Sequence, residues 1–406
     1  MEPIEVLYRR EAPYVRATLI RLLGSFELAE EGVQNAFLAA ASQWKDGNMP
    51  ANPRAWLISA GRFKTIDALR KSKRLSEIAP ELSRMMDEPP EELENGGMPD
   101  DMLRLIFTCC HPALAPDAQT ALCLREVCGL TTEEIAAAFL VKPATIAQRI
   151  VRAKARIRDD NIAYAVPEGA DLLDRLDQVL RVIYLVYSEG YSASSGDQLI
   201  RTEMTTEAIR LGRLLHALLK QADVAGLLAL MLLQSSRQAA RLDPAGNIVL
   251  LADQDRELWD AELIGEGLAF ADEALGQPPY ATYTLQAAIS AVHARARSAD
   301  ATDWAAIVRL YDLLVLAEPG ATSELNRAIA IGMAEGPQAG LDLIDALMAR
   351  GKLEDYKFAH FARADFLKRL GNRVDARLAY SRASCLPLLA AERRFVDRQL
   401  TALGKA

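Results

Sequence analysis

The chain has 406 residues, a length that predicts two to four domains rather than one large core. Half of its residues are hydrophobic and only 6% are aromatic, while alanine and leucine are abundant, so helices are expected to dominate. Taken as an average, the net charge of −8 argues against a nucleic-acid partner, because phosphate binding needs clustered lysine and arginine. These features predict an all-α protein in which the distribution of charge matters more than its sum.

The N-terminus lacks the basic start and the apolar stretch of a secretory signal, and no later segment has about 18 uncharged apolar residues in a row. These absences predict a cytoplasmic protein with no membrane partner. An odd number of cysteines favours buried thiols over a disulfide framework; they are Cys109, Cys110, Cys123, Cys128 and Cys385. A zinc site that includes His111 is the alternative, but the spacing lacks paired Cys-x-x-Cys motifs.

Charge is unevenly distributed along the first 160 residues. The net charge is +4 over residues 1–74, −8 over residues 75–102 and +2 over residues 103–160. Two basic stretches, Arg62–Arg74 and Lys142–Arg158, each hold six lysine or arginine residues. The acidic segment between them contains Pro89-Pro90 and Gly96-Gly97 and is expected to be a largely unfolded linker. Either basic stretch alone is typical of a solvated helix face.

The second basic stretch lies in a pattern of helix, short turn and helix between Leu130 and Arg158. Thr131 and Glu134 have the spacing of a capping box, and Pro143 suits the first turn of the second helix, after a turn at residues 140–142. Apolar residues of the second helix recur at intervals of three and four and face the core; they are Ile146, Ile150, Ala153 and Ile157. Another face carries Arg149, Arg152 and Arg156. The pattern predicts a helix-turn-helix whose second helix enters the major groove of DNA.

The stretch ALCLREVCGLTTEEIAAAFLVKPATIAQRIVRAKARIR resembles the fourth conserved domain of bacterial RNA polymerase sigma factors. The matching residues are Leu124, Arg125, Gly129, Leu130, Glu134, Ile135, Ala136, Thr145, Arg149, Arg152 and Ala153. In that family the second helix reads the minus-35 promoter element. The resemblance therefore implies minus-35 contacts for Lys142, Thr145, Ala147, Gln148, Arg149, Arg152, Lys154 and Arg156. Ala147 stands where many members have lysine, and Lys142 replaces the usual serine cap.

Two upstream stretches, LAEEGVQNAFLAA and NPRAWLISAGRFKTIDALRKSKR, resemble the second conserved sigma domain, which binds the polymerase clamp and opens the minus-10 element. This resemblance implies polymerase contacts for Glu30, Gln34, Asn35 and Phe37. It implies minus-10 contacts for Arg62, Phe63, Lys64, Asp67, Arg70, Lys71, Lys73 and Arg74. Phe63 stands at the position of the usual asparagine. Core packing is the expected role of Trp56 and an alternative role for Phe37.

The residues after 160 exceed the usual length of small sigma factors of the extracytoplasmic-function (ECF) type. They resemble the extension of a subgroup with a helical middle domain and a tetratricopeptide-like (TPR-like) tail. Within the middle domain, the run Asp253–Arg256 with Trp259 suggests a carboxylate site, but a helix start capped by aspartate is favoured because no nucleophile or phosphate loop accompanies it. The tail, Asp303–Leu400, is predicted to stack helix pairs into a solenoid with a protein-binding face.

Small residues in this tail are expected to let neighbouring helices approach each other; they are Ala328, Gly340, Ala364 and Ala376. Three further glycines, Gly332, Gly351 and Gly371, are expected near turns. Helix pairs of this size are typical of solenoid repeats, in which each pair contacts only its neighbours.

The predicted organisation is sigma domain 2 (1–74), an acidic linker (75–102), sigma domain 4 (103–160), a helical middle domain (161–300) and a TPR-like helical domain (301–406). The resemblance implies a sigma factor with no enzymatic activity and no cofactor. Its implied partners are core RNA polymerase, at the beta-prime clamp and beta flap, and promoter DNA. The extension is expected to tune activity by docking within the chain or by binding a protein partner. The alternative is a helix-turn-helix transcription regulator with a helical sensor tail, which would not need the first sigma domain.

Overall fold

The computed structural model describes residues 4–44, 49–71, 98–139, 141–192, 200–351 and 353–404. Within these ranges the secondary structure consists of helices and one isolated β-bridge between Leu242 and Ile248. This confirms the all-α prediction. None of the helices described is both long and apolar enough to cross a membrane. The chain divides into two compact units, Met1–Val186 and Tyr187–Ala406.

The first unit begins with three helices, α1 (Ile4–Leu23), α2 (Phe26–Gln43) and α3 (Pro53–Lys71), which pack against one another. Ser25 caps α2 because its side chain accepts a hydrogen bond from the backbone N–H of Leu28. Helices α2 and α3 meet at two glycines: a Cβ atom on Gly61 would lie 2.7 Å from the carbonyl oxygen of Gly32. The backbones can approach this closely only because neither position carries a side chain.

Four further helices follow in the first unit: α4 (Met98–Cys109), α5 (Pro116–Glu126), α6 (Thr132–Ala138) and α7 (Pro143–Asp159). Most of the predicted acidic linker lies outside the described residues. Its last residues, 98–102, were expected to be unfolded, but they form the start of α4, and the Asp101 side chain is buried. The linker prediction is wrong at this end because a composition-based boundary takes no account of the cations that pair with Asp101.

Helix α8 (Ala170–Tyr191) spans the boundary between the units, and the second unit continues with α9 (Thr202–Leu219) and α10 (Ala222–Ser235). Helix α10 is apolar on all sides and packs against α9, α11 (Ala261–Leu275) and α12 (Thr282–Arg295). Short turns and 3-10 segments connect α10 to α11. In this connection Asp255 and Asp260 cap the elements that follow them, which confirms the capping interpretation of this motif.

Six helices complete the chain, and each packs mainly against its neighbours in sequence. They are α13 (Trp304–Ala317), α14 (Ala321–Ala334), α15 (Pro337–Ala349), α16 (Lys357–Arg369), α17 (Arg373–Ser384) and α18 (Ala390–Gly404). Gly351 and Gly371 lie at turns with positive φ, as predicted. Gly332 was expected near a turn but lies inside α14, where a Cβ atom would overlap the ring of Phe366. This glycine therefore serves helix packing rather than a turn.

Three of the five cysteines lie in the interior of the first unit. Cys109, Cys110 and Cys123 are buried, and burial raises the pKa of the Cys109 thiol. Cys128 is half-buried, whereas Cys385 is exposed at the end of α17. Core packing is thus confirmed for three of the five.

Candidate nucleic-acid interface

Helix α7 has one buried and one exposed face. Its buried residues are Ile146, Ile150, Ala153 and Ile157, as the spacing predicted. The other side exposes six of the eight residues implied in minus-35 contacts, namely Lys142, Thr145, Ala147, Gln148, Arg152 and Arg156. Because this face includes the first turn of the helix, the geometry suits a recognition helix whose N-terminal residues meet base edges.

Helix α6 is held in place by the predicted capping box. The backbone N–H of Thr131 donates to a Glu134 carboxylate oxygen at 2.7 Å, and the N–H of Glu134 donates to the Thr131 hydroxyl at 3.2 Å. This reciprocal pair satisfies two backbone donors that the helix leaves free. The α6 and α7 pair therefore has the helix-turn-helix form expected from the sequence.

Two of the arginines implied in minus-35 contacts already have partners. Arg149 forms an ion pair with Asp117 at 3.3 Å, and Arg156 pairs with Asp160 at 2.6 Å on the same helix. Exposed pairs of this kind contribute only about 0–1 kcal/mol, so phosphate groups can compete for both arginines. Arg152 is exposed and makes no ion pair within the described residues.

Lys154, which is also implied in minus-35 contacts, is half-buried against other helices. Its ammonium group lies 2.8 Å from a Glu126 carboxylate oxygen and 5.5 Å from the ring centre of Phe26, and its side chain is only 17% exposed. In this conformation Lys154 contacts protein rather than an open DNA face. The helical spacing that places it near Arg152 and Arg156 in sequence could not reveal this, because Glu126 and Phe26 belong to other helices.

Six of the eight residues implied in minus-10 contacts lie on α3. Phe63 is 70% exposed, Lys64 and Arg70 are exposed, and Arg62 and Asp67 are half-buried. Lys71 is the last residue of the helix, and Lys73 and Arg74 lie outside the described residues. An exposed aromatic ring between cations is an arrangement on which an unstacked base can rest while its phosphates are bound.

Trp56 occupies the first turn of α3 and supports the core interpretation. Its ring centre lies 4.9 Å from that of Trp44, the residue that follows α2, and Trp56 is half-buried. The paired rings join the two helices near one end. A large aromatic contact of this kind stabilises packing beyond the area it buries.

Helix α2 carries the residues implied in polymerase binding. Gln34 is exposed and Asn35 is half-buried, so both present polar groups at the surface. Phe37 is only 6% exposed, and its ring packs edge-on against Tyr8 with centres 4.8 Å apart. Phe37 therefore holds α2 against α1 in this structure, which is the core-packing role that the sequence left open.

Glu30 belongs to an ion network that sequence analysis missed. Arg16 of α1 lies 3.2 Å from Glu30 and 3.3 Å from Glu126, the last residue of α5. Glu126 is 0% exposed and Arg16 only 3%. Burial alone would lower the pKa of Arg16, but the carboxylates of Glu126 and Glu30 raise it above its ordinary value. An arginine inside the apolar run VRATLIRLL was the available signal, but no pattern identifies a partner 110 positions away.

A second polar contact joins α1 to α4. Asp101 pairs with Arg21 at 2.8 Å and with Arg104 at 3.0 Å, and its side chain is buried. The Tyr164 hydroxyl lies 3.0 Å from the carbonyl oxygens of both Ala17 and Asp101. Together with the Arg16–Glu126 pair, these buried charges and hydrogen bonds join α1 of the first predicted sigma domain to α4 and α5.

Comparison with known proteins identifies both halves of this unit. Residues 7–75 match the family model "Sigma-70 region 2", and residues 104–157 match "Sigma-70, region 4". Residues 175–275 match a family of unknown function, DUF6596, which covers part of the extension. No solved structure matches the chain.

An uncharacterized protein of Rhizobium meliloti (strain 1021) is 42% identical over 398 residues, covering 97% of this chain and 94% of the relative. The similarity therefore extends through the sigma regions and the extension. Both sigma regions occur in the order that the sequence predicted, and the exposed face of α7 and the polar surface of α2 lie within them. The chain belongs to the sigma-70 family of RNA polymerase sigma factors and carries a C-terminal helical extension.

Proposed function

We propose that this chain is an ECF-type sigma factor that binds core RNA polymerase, melts promoter DNA through α3 and reads the minus-35 element through α7. The observation that carries the proposal is the exposed, cation-bearing face of α7 opposite its four buried apolar residues. The matched sigma-70 region 2 favours this role over a helix-turn-helix regulator, which has no use for a polymerase-binding domain. In this role the chain acts in the cytoplasm and catalyses no covalent chemistry.

Run-off transcription with core polymerase and genomic promoter fragments tests the proposal. We expect promoter-specific transcripts only when the chain is added. Arg152→Ala should reduce them, while Arg393→Ala, which removes an exposed arginine of α18, should not. Equal transcription with and without the chain would contradict the proposal.

The surface of α2 is proposed to bind the beta-prime clamp through Gln34, Asn35 and Glu30. Gln34 is the cleanest probe because it is exposed, whereas Glu30 is paired with Arg16. Gln34→Ala should weaken co-purification with core polymerase and leave the thermal unfolding temperature unchanged. Phe37→Ala is unsuitable for this purpose, since removing a buried ring costs about 3–5 kcal/mol of folding stability.

The extension is proposed to tune sigma activity, either by docking on the sigma domains or polymerase, or by binding a protein partner through its TPR-like tail. Truncation tests this, and the cut should follow Val186, the last residue of the first unit, because Tyr164 and Arg175 make hydrogen bonds within that unit. Lower transcription after truncation would indicate an assisting extension and higher transcription an inhibitory one. Equal activity, with no binding between the separately expressed parts, would contradict regulation within the chain.

A further inference from the structure

Three arginines of the second unit form a cluster around two aromatic rings. Arg237 and Arg241 follow α10, and Arg256 begins the last 3-10 segment before α11. The guanidinium carbons of Arg241 and Arg237 lie 3.8 Å and 6.0 Å from the ring centre of Tyr191. That of Arg256 lies 4.5 Å from the ring centre of Trp259. Rings that stack on guanidinium groups hold their planes in place.

None of the three arginines forms an ion pair with a carboxylate among the described residues. Arg241 donates to the carbonyl of Tyr191, and Arg256 donates to the carbonyls of His293 and Ala296 at 2.6 and 2.7 Å. Arg237 makes no hydrogen bond to any described residue. Other arginines of the same unit do have carboxylate partners, as Arg201–Glu189, Arg213–Glu266 and Arg295–Asp272.

This concentration of like charge is unfavourable in a half-buried place. Burial lowers the pKa of Arg241 and of Arg256, and the charge of Arg237 lowers both further. Burial, together with Arg237 and Arg256, lowers the pKa of His293 to about 4, so the imidazole is neutral at neutral pH. An anion bound among the three guanidinium groups would relieve their repulsion.

Trp259 adds an independent sign of a missing acceptor. The residue is only 7% exposed, and its indole N–H has no hydrogen-bond partner. A buried donor left unpaired costs about 1–3 kcal/mol, and native proteins rarely leave one without a reason. Capping of helix ends explains Arg241 and Arg256, but it explains neither Arg237 nor this N–H.

We infer that Arg237, Arg241, Arg256 and Trp259 form a binding site for the phosphate group of a small molecule. Planar guanidinium forks match the oxygens of a phosphate in pairs, and three cations suit a dianion better than a single carboxylate. A cleft of about 650 Å³ lies along the same connection and is lined by Thr202, Ser235, Ser236, Gln238 and Asp260 among others. None of the four residues lines this cleft, and its Asp260 carboxylate disfavours an anion, so the phosphate group is assigned to the arginines and Trp259 alone.

The site is tested with the full chain by isothermal titration calorimetry, using inorganic phosphate, pyrophosphate and ribose 5-phosphate at constant ionic strength set with chloride. We expect at least one of them to bind at concentrations below about 10 mM. Arg237→Gln should weaken that binding about tenfold or more, because a charged hydrogen-bonding group is lost. Arg295→Gln, which removes an exposed arginine of the same unit, should leave it unchanged.

Arg237 is the best position for this test because its side chain donates no hydrogen bond to the carbonyls at a helix end. The Arg237→Gln variant should therefore unfold at the wild-type temperature when no phosphate is present. Trp259→Phe, which keeps the ring contact but removes the N–H, gives a second test and should also weaken binding. Tighter binding of ribose 5-phosphate than of inorganic phosphate would identify an organic phosphate as the ligand, and the reverse would identify the free ion.

Three results would overturn the inference. These are no binding of any of the three compounds, binding that Arg237→Gln leaves intact, and an equal loss in Arg295→Gln. A fourth contrary result is a loss of promoter DNA affinity in Arg237→Gln without any loss of phosphate binding, since it would assign the cluster to DNA. The phosphate titrations need neither polymerase nor promoter DNA, so they do not depend on the proposed promoter function.

Discussion

Two groups of interior arginines, one in each unit, differ in their partners. In the first unit, Arg16 is enclosed and lies against Glu126 and Glu30, carboxylates brought from two other helices. In the second unit, Arg237 and Arg241 lie on the ring of Tyr191 and Arg256 lies on that of Trp259, and none of the three pairs with a carboxylate of the described residues. The first arrangement neutralises charge inside the fold and joins two domains, while the second leaves three guanidinium groups without a neutralising carboxylate. The carboxylate partners of Arg16 give it a structural role, whereas the absence of such partners is one of the observations behind the inferred phosphate site.

Removing a buried carboxylate should cause the largest loss of folding stability. Glu126→Ala leaves Arg16 and Lys154 without a shared partner, so we expect a loss of about 3–5 kcal/mol in the stability of the first unit. Urea unfolding of the full chain measures it. Glu133→Gln, which alters an exposed carboxylate of α6, is the control. A loss below about 1 kcal/mol would mean that the pair is not essential to the fold.

A comparison of two cations on α7 separates DNA contact from structural support. Arg152→Ala should lower affinity for promoter DNA by about 1–3 kcal/mol if it reads a base, or flatten the salt slope by about one unit if it binds phosphate. Lys154→Met should lower folding stability instead, because Lys154 pairs with Glu126. Fluorescence anisotropy at several salt concentrations measures the first effect and urea unfolding the second. DNA affinity that is unchanged by Arg152→Ala would remove it from the interface.

The neutral His293 makes the stability of the second unit depend on pH. Because its folded pKa of about 4 lies below the unfolded value of about 6.5, the unfolded chain binds the proton first as pH falls. Stability should therefore be complete above pH 6.5 and decline as pH falls towards 4, by about 1–2 kcal/mol between pH 7 and pH 5. Unfolding at both pH values measures it, and His293→Gln should show a smaller decline. An equal decline in both proteins would assign the effect to other groups.

The smallest change is expected at an exposed pair in the second unit. Arg213 and Glu266 form two hydrogen bonds, at 2.9 and 2.6 Å, but solvent surrounds both side chains. Arg213→Ala should cost less than about 1 kcal/mol in urea unfolding. A loss comparable to that of Glu126→Ala would show that burial does not distinguish these pairs.

Much of the site follows from local patterns. The capping box of α6 joins residues three positions apart, and the buried face of α7 consists of residues on a single helix. Helical spacing alone therefore predicts both. Such patterns could not predict the contacts that Lys154 and Phe37 make with other helices. Their burial depends on Glu126, Phe26 and Tyr8, residues of other helices. Spacing places a side chain on a face of its helix but does not identify what covers that face.

The sequence by itself determined the helical class, the order of the two sigma regions, the helix-turn-helix and the presence of an extension, because each depends on periodicity or on a contiguous motif. Only the tertiary structure decided which charges are enclosed and with what. Asp101 lies in a stretch that composition assigns to an acidic linker, yet it is buried against Arg21 and Arg104. Arg237 and Arg256 are 19 positions apart, yet both lower the pKa of His293. The strength of an electrostatic interaction depends on the distance between the charges and on their burial, and the order of residues along the chain gives neither.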